Sequence, residues 1–479
     1  MFSFSSIENY HEFLCNGRTT CVEAVSFYLQ RVKENEHLNA FTEIFEEEAL
    51  QRARELDEQR TGPGLTGKLH GVVTGIKDVI CYKSHKTSAS SKVLENFISP
   101  YNATAVEKLI SEGAIIIGRQ NCDEFAMGGS NENSAFGPVL NAADNTRVPG
   151  GSSGGSAVAV QAGLCMLSLG TDTGGSVRQP ADFCGIVGLK PSYGRVSRHG
   201  VIAFASSFDQ IGIFANSVED AALCLEVIAG PDGFDSTVYN AAPENYSKLI
   251  AEDTTPKKYR VAYFRQTLDN TALDAQIKSS ISGFIENLKS QGHTVNAVEF
   301  DLLDYAVPAY YILTTAEASS NLSRYDGLRY GFSTGEKGLS LDEAYKKNRS
   351  KSFGREVKRR IMLGSFVLSE GYYDAYFTKA QQVRQMLLNK TGDIFSEHDV
   401  IISPVSPTTA FKIGQINDPV EMYLADIYTV FANLTGIPAI SIPLFLHENG
   451  MPFGIQAMVS GFNELSLLRI AKEFMALKQ

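Results

Sequence analysis

Residue types able to do chemistry are densest between Arg147 and Pro180, RVPGGSSGGSAVAVQAGLCMLSLGTDTGGSVRQP, where two serine–glycine runs flank an apolar stretch. Taken alone, GGSSGGS reads equally well as a flexible linker. Its context argues otherwise: Ala157 to Leu169 is nearly continuous apolar chain that demands burial, and glycine and serine entering it point to close packing or ligand approach. The second run, DTGGS, follows a β-like stretch. Consecutive glycines there let several backbone N–H groups converge on one concavity, which suits a developing oxyanion or a phosphate. No lysine follows the glycines as a P-loop requires, and no strand-anchored GxGxxG occurs, so stabilisation of an oxyanion during acyl transfer fits better.

A nucleophilic serine needs a base, usually histidine. The eight histidines, His11, His37, His70, His85, His199, His293, His398 and His447, lie mostly in polar or loop-like stretches without an evident acid partner, which argues against a Ser/His/Asp triad. GxSxG occurs twice within Gly150 to Gly155, but a nucleophile elbow needs a preceding strand, and NTRVP is polar and ends in proline. Lysine is the remaining base. Lys77 ends the apolar run of LHGVVTGIKDVI, and two readings stay open: a strand-end lysine with its ammonium in solvent, or a buried amine whose desolvation favours the neutral, proton-accepting form.

These residues need rigid elements to hold them. From about residue 70, β-prone runs (GVVTGI, AIIIG, CMLSLG) alternate with helical patterns (ATAVEKLISEG, SAVAVQAGL, SVEDAALCLEVIAG), the texture of an α/β sheet with covering helices. Residues 1–60 read as helical, with a capping box from Thr20 to Glu23 and apolar Val22, Val25, Leu29 and Val32 at helical spacing. EEEALQRARELDEQR reads as a solvated helix without chemistry. A helix-rich stretch spans about 305–395, after which VIISPV and AISIPLF return to strand texture and NELSLLRIAKEFMAL closes as a helix. One large domain over 1–479 is expected, its late strands rejoining the early sheet.

The 479 residues, 43% hydrophobic and 20% charged, can bury a sizeable core. A net charge of -11 argues against an extended basic surface, leaving any nucleic acid to a partner. The seven cysteines (Cys15, Cys21, Cys81, Cys122, Cys165, Cys184 and Cys224) form no CxxC spacing, so no disulfide framework or zinc knuckle is indicated and the cytosol is the expected compartment. MFSFSSIENYHEFL lacks the layout of a signal peptide, and no run of about 18 to 20 apolar residues occurs, so neither export nor membrane insertion is expected. No His, Cys or carboxylate cluster has metal-ligand spacing.

The order Lys77, GGSSGGS, GTDTGGSVRQPADFCGIVGLKPSYG resembles that of the amidase signature enzymes, and the likeness extends over almost the whole chain. It implies a large mixed central β-sheet covered by helices, with Ser176 as nucleophile. Ser152, in a cis peptide, would relay the proton to Lys77 and back to the leaving nitrogen, with Ser153 in support. Backbone N–H groups of Thr173, Gly174, Gly175 and Ser176 would hold the oxyanion. Two departures are visible: DVI follows the lysine where relatives often have DNI, and Asp182 stands where a small residue is common.

Further stretches (DEFAMGGSNENSAFGPV, RVSRHGVIAFASSFDQIG, PAYYILTTAEASSNLSRYDGLRYG, EVKRRIMLGSFVLSEGYYDAY, MYLADIYTVFANLTGIPAISIP) are similar to the glutaminase subunits of tRNA-dependent amidotransferases. That likeness implies glutamine as substrate, partner subunits resembling B and C, charged tRNA held through the partner, and ATP and magnesium used by the partner with no cofactor in this chain. It assigns Arg359 to the substrate α-carboxylate, with the register open to Arg360, Asp426 to the α-amino group and Tyr310 to the pocket wall. Taken alone, the arginine pair reads as a solvated helix face, Asp426 as a helix-end charge and Tyr310 as a packing aromatic. The rival function is a free-standing amidase acting on small or lipid amides.

Overall fold

Eleven β-strands carry the site in the computed structural model, which describes residues 2–60, 64–253 and 256–478; positions 1, 61–63, 254–255 and 479 of the expected 1–479 domain lie outside the described residues. In chain order they are β1 (Phe41–Ile44), β2 (Val73–Lys77), β3 (Ile115–Gln120), β4 (Leu167–Asp172), β5 (Val187–Lys190), β6 (Gln210–Ala215), β7 (Arg260–Phe264), β8 (Thr294–Val298), β9 (Val400–Pro404), β10 (Ala439–Leu446) and β11 (Pro452–Met458). They form one sheet in the order β1-β3-β2-β4-β6-β5-β10-β11-β9-β7-β8. Pairing is mixed: β2 runs parallel to β3 and β4, whereas β4 with β6 and β5 with β10 are antiparallel. The protein is α/β, as expected, and the late strands rejoin the early sheet through β10 and β5.

β2, β3 and β4 are buried along their whole length, which is why GVVTGI, AIIIG and CMLSLG read as continuous apolar runs rather than as alternating ones. The register pairs Ile76 of β2 with Leu169 of β4, so Lys77 ends its strand level with the last residues of β4. Side chains that do chemistry thus gather at the carboxyl ends of adjacent parallel strands.

Helices Ile7–Cys15, Cys21–Glu34 and Glu46–Gln59 form at the N-terminal side, and the Thr20–Glu23 capping box is present. The reading of 1–60 as helical missed β1, four residues without apolar alternation that pair antiparallel with β3 at the sheet edge. Helices Ala306–Asn321, Leu341–Ser352, Arg355–Val367 and Lys379–Glu397 fall between β8 and β9 in the chain. Two of them meet closely at Gly364, where a Cβ would stand 1.9 Å from the Thr315 carbonyl oxygen, so only glycine permits the contact.

Candidate active site

Lys77 is fully buried, which rules out the solvent-exposed reading. Its Nζ donates to Ser152 Oγ (2.7 Å), Ser153 Oγ (2.8 Å) and Thr171 Oγ1 (2.9 Å), so three N–H groups meet three hydroxyls. Burial lowers its pKa to about 8, against the opposing pull of Cys122, Asp123, Asp172 and Asp209. The three hydroxyls are not equivalent. Ser153 Oγ donates to the Thr171 carbonyl (3.1 Å) and accepts from the Thr171 N–H (3.3 Å), which locks its proton in place. Ser152 Oγ bonds, among the described residues, only to Lys77, so its proton is free to change direction. The cis peptide implied at Ser152 is present between Gly151 and Ser152.

Ser176 lies on the turn between β4 and helix Arg178–Cys184 and is 9% exposed. Asp172 organises this turn from beneath. Its carboxylate accepts from the N–H groups of Gly175 (2.9 Å) and Val177 (3.2 Å) and pairs with Arg178 at 3.0 Å. Arg178 donates in turn to the Thr429 carbonyl (2.9 Å), Gln456 (2.8 Å) and Asn433 (2.6 Å), satisfying a wholly buried guanidinium. Burial alone would raise the Asp172 carboxyl; Arg178, with Lys190 and Asn433, instead holds it well below the usual range. Thr173 Oγ1 donates to Asp209 (2.7 Å), and Thr429 Oγ1 to the Gly174 carbonyl (2.6 Å). Gln179 joins the two serine runs, accepting from the Gly151 N–H (3.0 Å) and donating to the Gly129 carbonyl (2.9 Å).

One expected oxyanion donor is corrected. The Gly175 N–H is committed to Asp172, so it is not free to receive charge. Among the described residues no group accepts from the N–H of Thr173, Gly174 or Ser176, which leaves three donors on one turn. Gly175 is required for another reason: its φ is +132°, and a Cβ there would stand 2.3 Å from Thr429 Oγ1.

Tyr310 is buried against the same turn; a Cβ on Gly174 would lie 2.3 Å from its Oη. Asp426 is half-buried beside it, accepts from Tyr311 Oη at 2.7 Å, and is raised to about 6 by desolvation, against the lowering pull of Tyr311 and Arg360. The two arginines separate. Arg359 keeps 32% of its side chain exposed, whereas Arg360 keeps 5% and packs over the rings of Phe204, Tyr311 and Tyr423 at 5.4–5.5 Å. Both line a cavity of about 200 Å³ that also touches Gly128, Ser130 and Tyr423. Arg360 is thus the buried guanidinium, packed over the Tyr311 ring whose hydroxyl donates to Asp426, and Arg359 the more exposed one.

Thr171, Asp172, Arg178 and Gln179 were missed by sequence reasoning, although all four stand inside the quoted run; a charge in largely apolar chain was the signal for Asp172 and Arg178, and Thr171 and Gln179 carried none. Tyr311, Glu356 and Tyr423 carried none beyond helical pattern. Asp182 accepts from the Gly454 N–H at 2.7 Å and ties its helix to β11, a packing role; burial raises its carboxyl to about 7. Among the described residues, no group of three or more His, Cys, Asp or Glu is placed to hold a metal ion, and no helix is long and apolar enough to cross a membrane.

A sequence model of the amidase family matches residues 23–468. The chain is 49% identical over 456 residues to the A-type subunit of glutamyl-tRNA(Gln) amidotransferase from Koribacter versatilis, covering 95% of this chain and 94% of that protein. It is 50% identical over 470 residues to the protein of the same name from Chlorobium luteolum, covering 98% and 96%. The crystal structure of the corresponding glutamyl-tRNA(Gln) amidotransferase chain from Thermotoga maritima superposes with a TM-score of 0.79 at 36% identity, over 98% of this chain and 93% of that one. The native peptide amidase of Stenotrophomonas maltophilia superposes with a TM-score of 0.83 at 27% identity, over 99% and 97%.

Proposed function

The chain belongs to the amidase family, and from that premise we propose that it is the glutaminase subunit of a tRNA-dependent amidotransferase, with Ser176 as nucleophile and Ser152 and Lys77 as its proton relay. The observation that carries this reading is the buried Lys77, whose Nζ bonds to Ser152 Oγ at 2.7 Å and whose pKa is lowered to about 8. A neutral amine has two N–H groups and one lone pair. With Ser153 committed to Thr171, the lone pair takes its proton from Ser152, whose oxygen then accepts the proton of Ser176.

Ser176 Oγ attacks the side-chain amide carbon of glutamine, and the carbonyl oxygen takes up the charge facing the N–H groups of Thr173, Gly174 and Ser176. Lys77 returns its proton through Ser152 to the amide nitrogen, the C–N bond breaks, and ammonia leaves a γ-glutamyl ester on Ser176. Water, deprotonated by the same relay, hydrolyses that ester to glutamate. Arg360, with Arg359 beside it, takes the α-carboxylate, Asp426 the α-amino group, and Tyr310 walls the pocket.

Ammonia passes to partner subunits resembling B and C, which hold charged tRNA and use ATP and magnesium to amidate the glutamate it carries. The acidic net charge of -11 supports leaving tRNA to those partners, and the cytoplasm is the compartment. The whole chain acts as one catalytic unit. In the assembled complex, Ser176→Ala is expected to abolish glutamine-dependent amidation while free ammonia still supports it. Loss of both activities, or retention of both, contradicts the assignment.

A further inference from the structure

A buried guanidinium recognises a carboxylate only if something fixes its plane and leaves one edge unspent. In this fold Glu356 meets that requirement. Helix Arg355–Val367 places Glu356 one turn before both arginines, and its carboxylate accepts from Arg360 Nε at 2.8 Å and from Arg359 Nη1. Tyr423 Oη donates to the same Glu356 Oε1 at 3.1 Å. The Tyr423 ring stacks on Tyr311 with centroids 4.1 Å apart, and Tyr311 donates to Asp426. The result is a closed ring running Tyr311, Arg360, Glu356, Tyr423 and back to Tyr311, with Asp426 attached through the Tyr311 hydroxyl. Arg360 spends Nε on Glu356 and its face on aromatic rings; among the described residues no group accepts from its Nη atoms, although the residue is 4% exposed and lines the cavity.

We propose that Glu356 is a positioning residue for substrate recognition: it orients the Arg360 guanidinium with both Nη atoms toward the cavity and keeps Arg359 on the rim, so that an amino-acid α-carboxylate meets a preset fork. The inference rests on the glutaminase reading above. Glu356 touches no reacting atom, so its removal acts on binding rather than on chemistry. A merely structural role, an intrahelical brace between residues three and four apart, predicts a change in stability with no preferential effect on the Michaelis constant.

The test is steady-state glutamine hydrolysis by the assembled complex carrying Glu356→Ala or Glu356→Gln. The alanine variant is expected to raise KM for glutamine by about tenfold or more, with kcat within about twofold of wild type. The glutamine variant keeps an acceptor oxygen for Arg360 and Tyr423 and is expected to restore KM to within about threefold of wild type. KM unchanged in both variants, or kcat falling as much as KM rises, would overturn the inference. If Glu356→Ala fails to assemble, a glutamine variant whose kcat falls without a rise in KM overturns it alone. A wild-type complex inactive on glutamine removes the functional reading itself, and the inference with it.

Discussion

Replacing Lys77 by methionine keeps the unbranched stem of the side chain and removes the amine, and its consequences follow from the burial of this residue. A lysine at its ordinary value of 10.5 is neutral in only about 0.03% of molecules at pH 7, whereas one at about 8 is neutral in about 10%, so burial enriches the base by roughly 300-fold. In the proposed relay the neutral amine is the active form, so kcat/KM for glutamine is expected to rise with pH, by about eightfold between pH 7 and 8.5. Lys77→Met removes that limb and lowers kcat/KM by about 10³-fold, within the ordinary range for loss of a general base. The assay is glutamate release by the assembled complex, in buffers of constant ionic strength, with urea unfolding as a control for integrity. A wild-type profile that is flat or falls between pH 7 and 8.5, or a methionine variant within about tenfold of wild type, refutes the reasoning.

Other outcomes follow from the same geometry. Arg178→Met strands the Asp172 carboxylate in the core and is expected to cost about 3–5 kcal/mol in urea unfolding. Asp172 is depressed below its ordinary value, so the stability it contributes is present above pH about 4 and lost as the pH falls through the depressed value. Gly174→Ala sets a methyl against Tyr310 Oη and is expected to lower kcat by about 10²-fold with little change in KM, read by steady-state kinetics. Tyr311→Phe removes the hydroxyl that stabilises the charged Asp426. Its carboxyl, at about 6 in the native enzyme, then titrates higher, and the acid limb of kcat/KM is expected to move to higher pH.

Much of the site was legible because it is local in sequence. The strand ending at Asp172, the glycines that follow it and Ser176 sit on one continuous run, so the sequence order alone places a glycine turn after a strand, and the family resemblance singles out Ser176 on it. Ser152 was legible for the same reason, since glycine and serine entering buried chain is rare without cause. Lys77 was ambiguous: β2 is buried because β3 and β4 pair with its edges and helices Cys21–Glu34 and Gly154–Gln161 pack against it, contacts distant in sequence that no local pattern encodes. Gly175 was misassigned because its N–H is claimed by Asp172, a carboxylate three residues earlier whose direction depends on Arg178 and Asn433. Which of Arg359 and Arg360 turns inward was open for want of helix phase, and in the fold Arg360 is the one packed against Tyr311 and Tyr423. Strands β1, β5, β7 and β8 have only four or five residues, too few to display a period.

Trapping the acyl-enzyme tests the central claim most directly. Rapid acid quenching of the assembled complex during glutamine turnover, followed by proteolysis and peptide mass spectrometry, is expected to find a γ-glutamyl ester on Ser176 in the wild type and none in Ser176→Ala. An adduct on Ser152 or on a cysteine, or turnover by Ser176→Ala at the wild-type rate, would contradict the assignment.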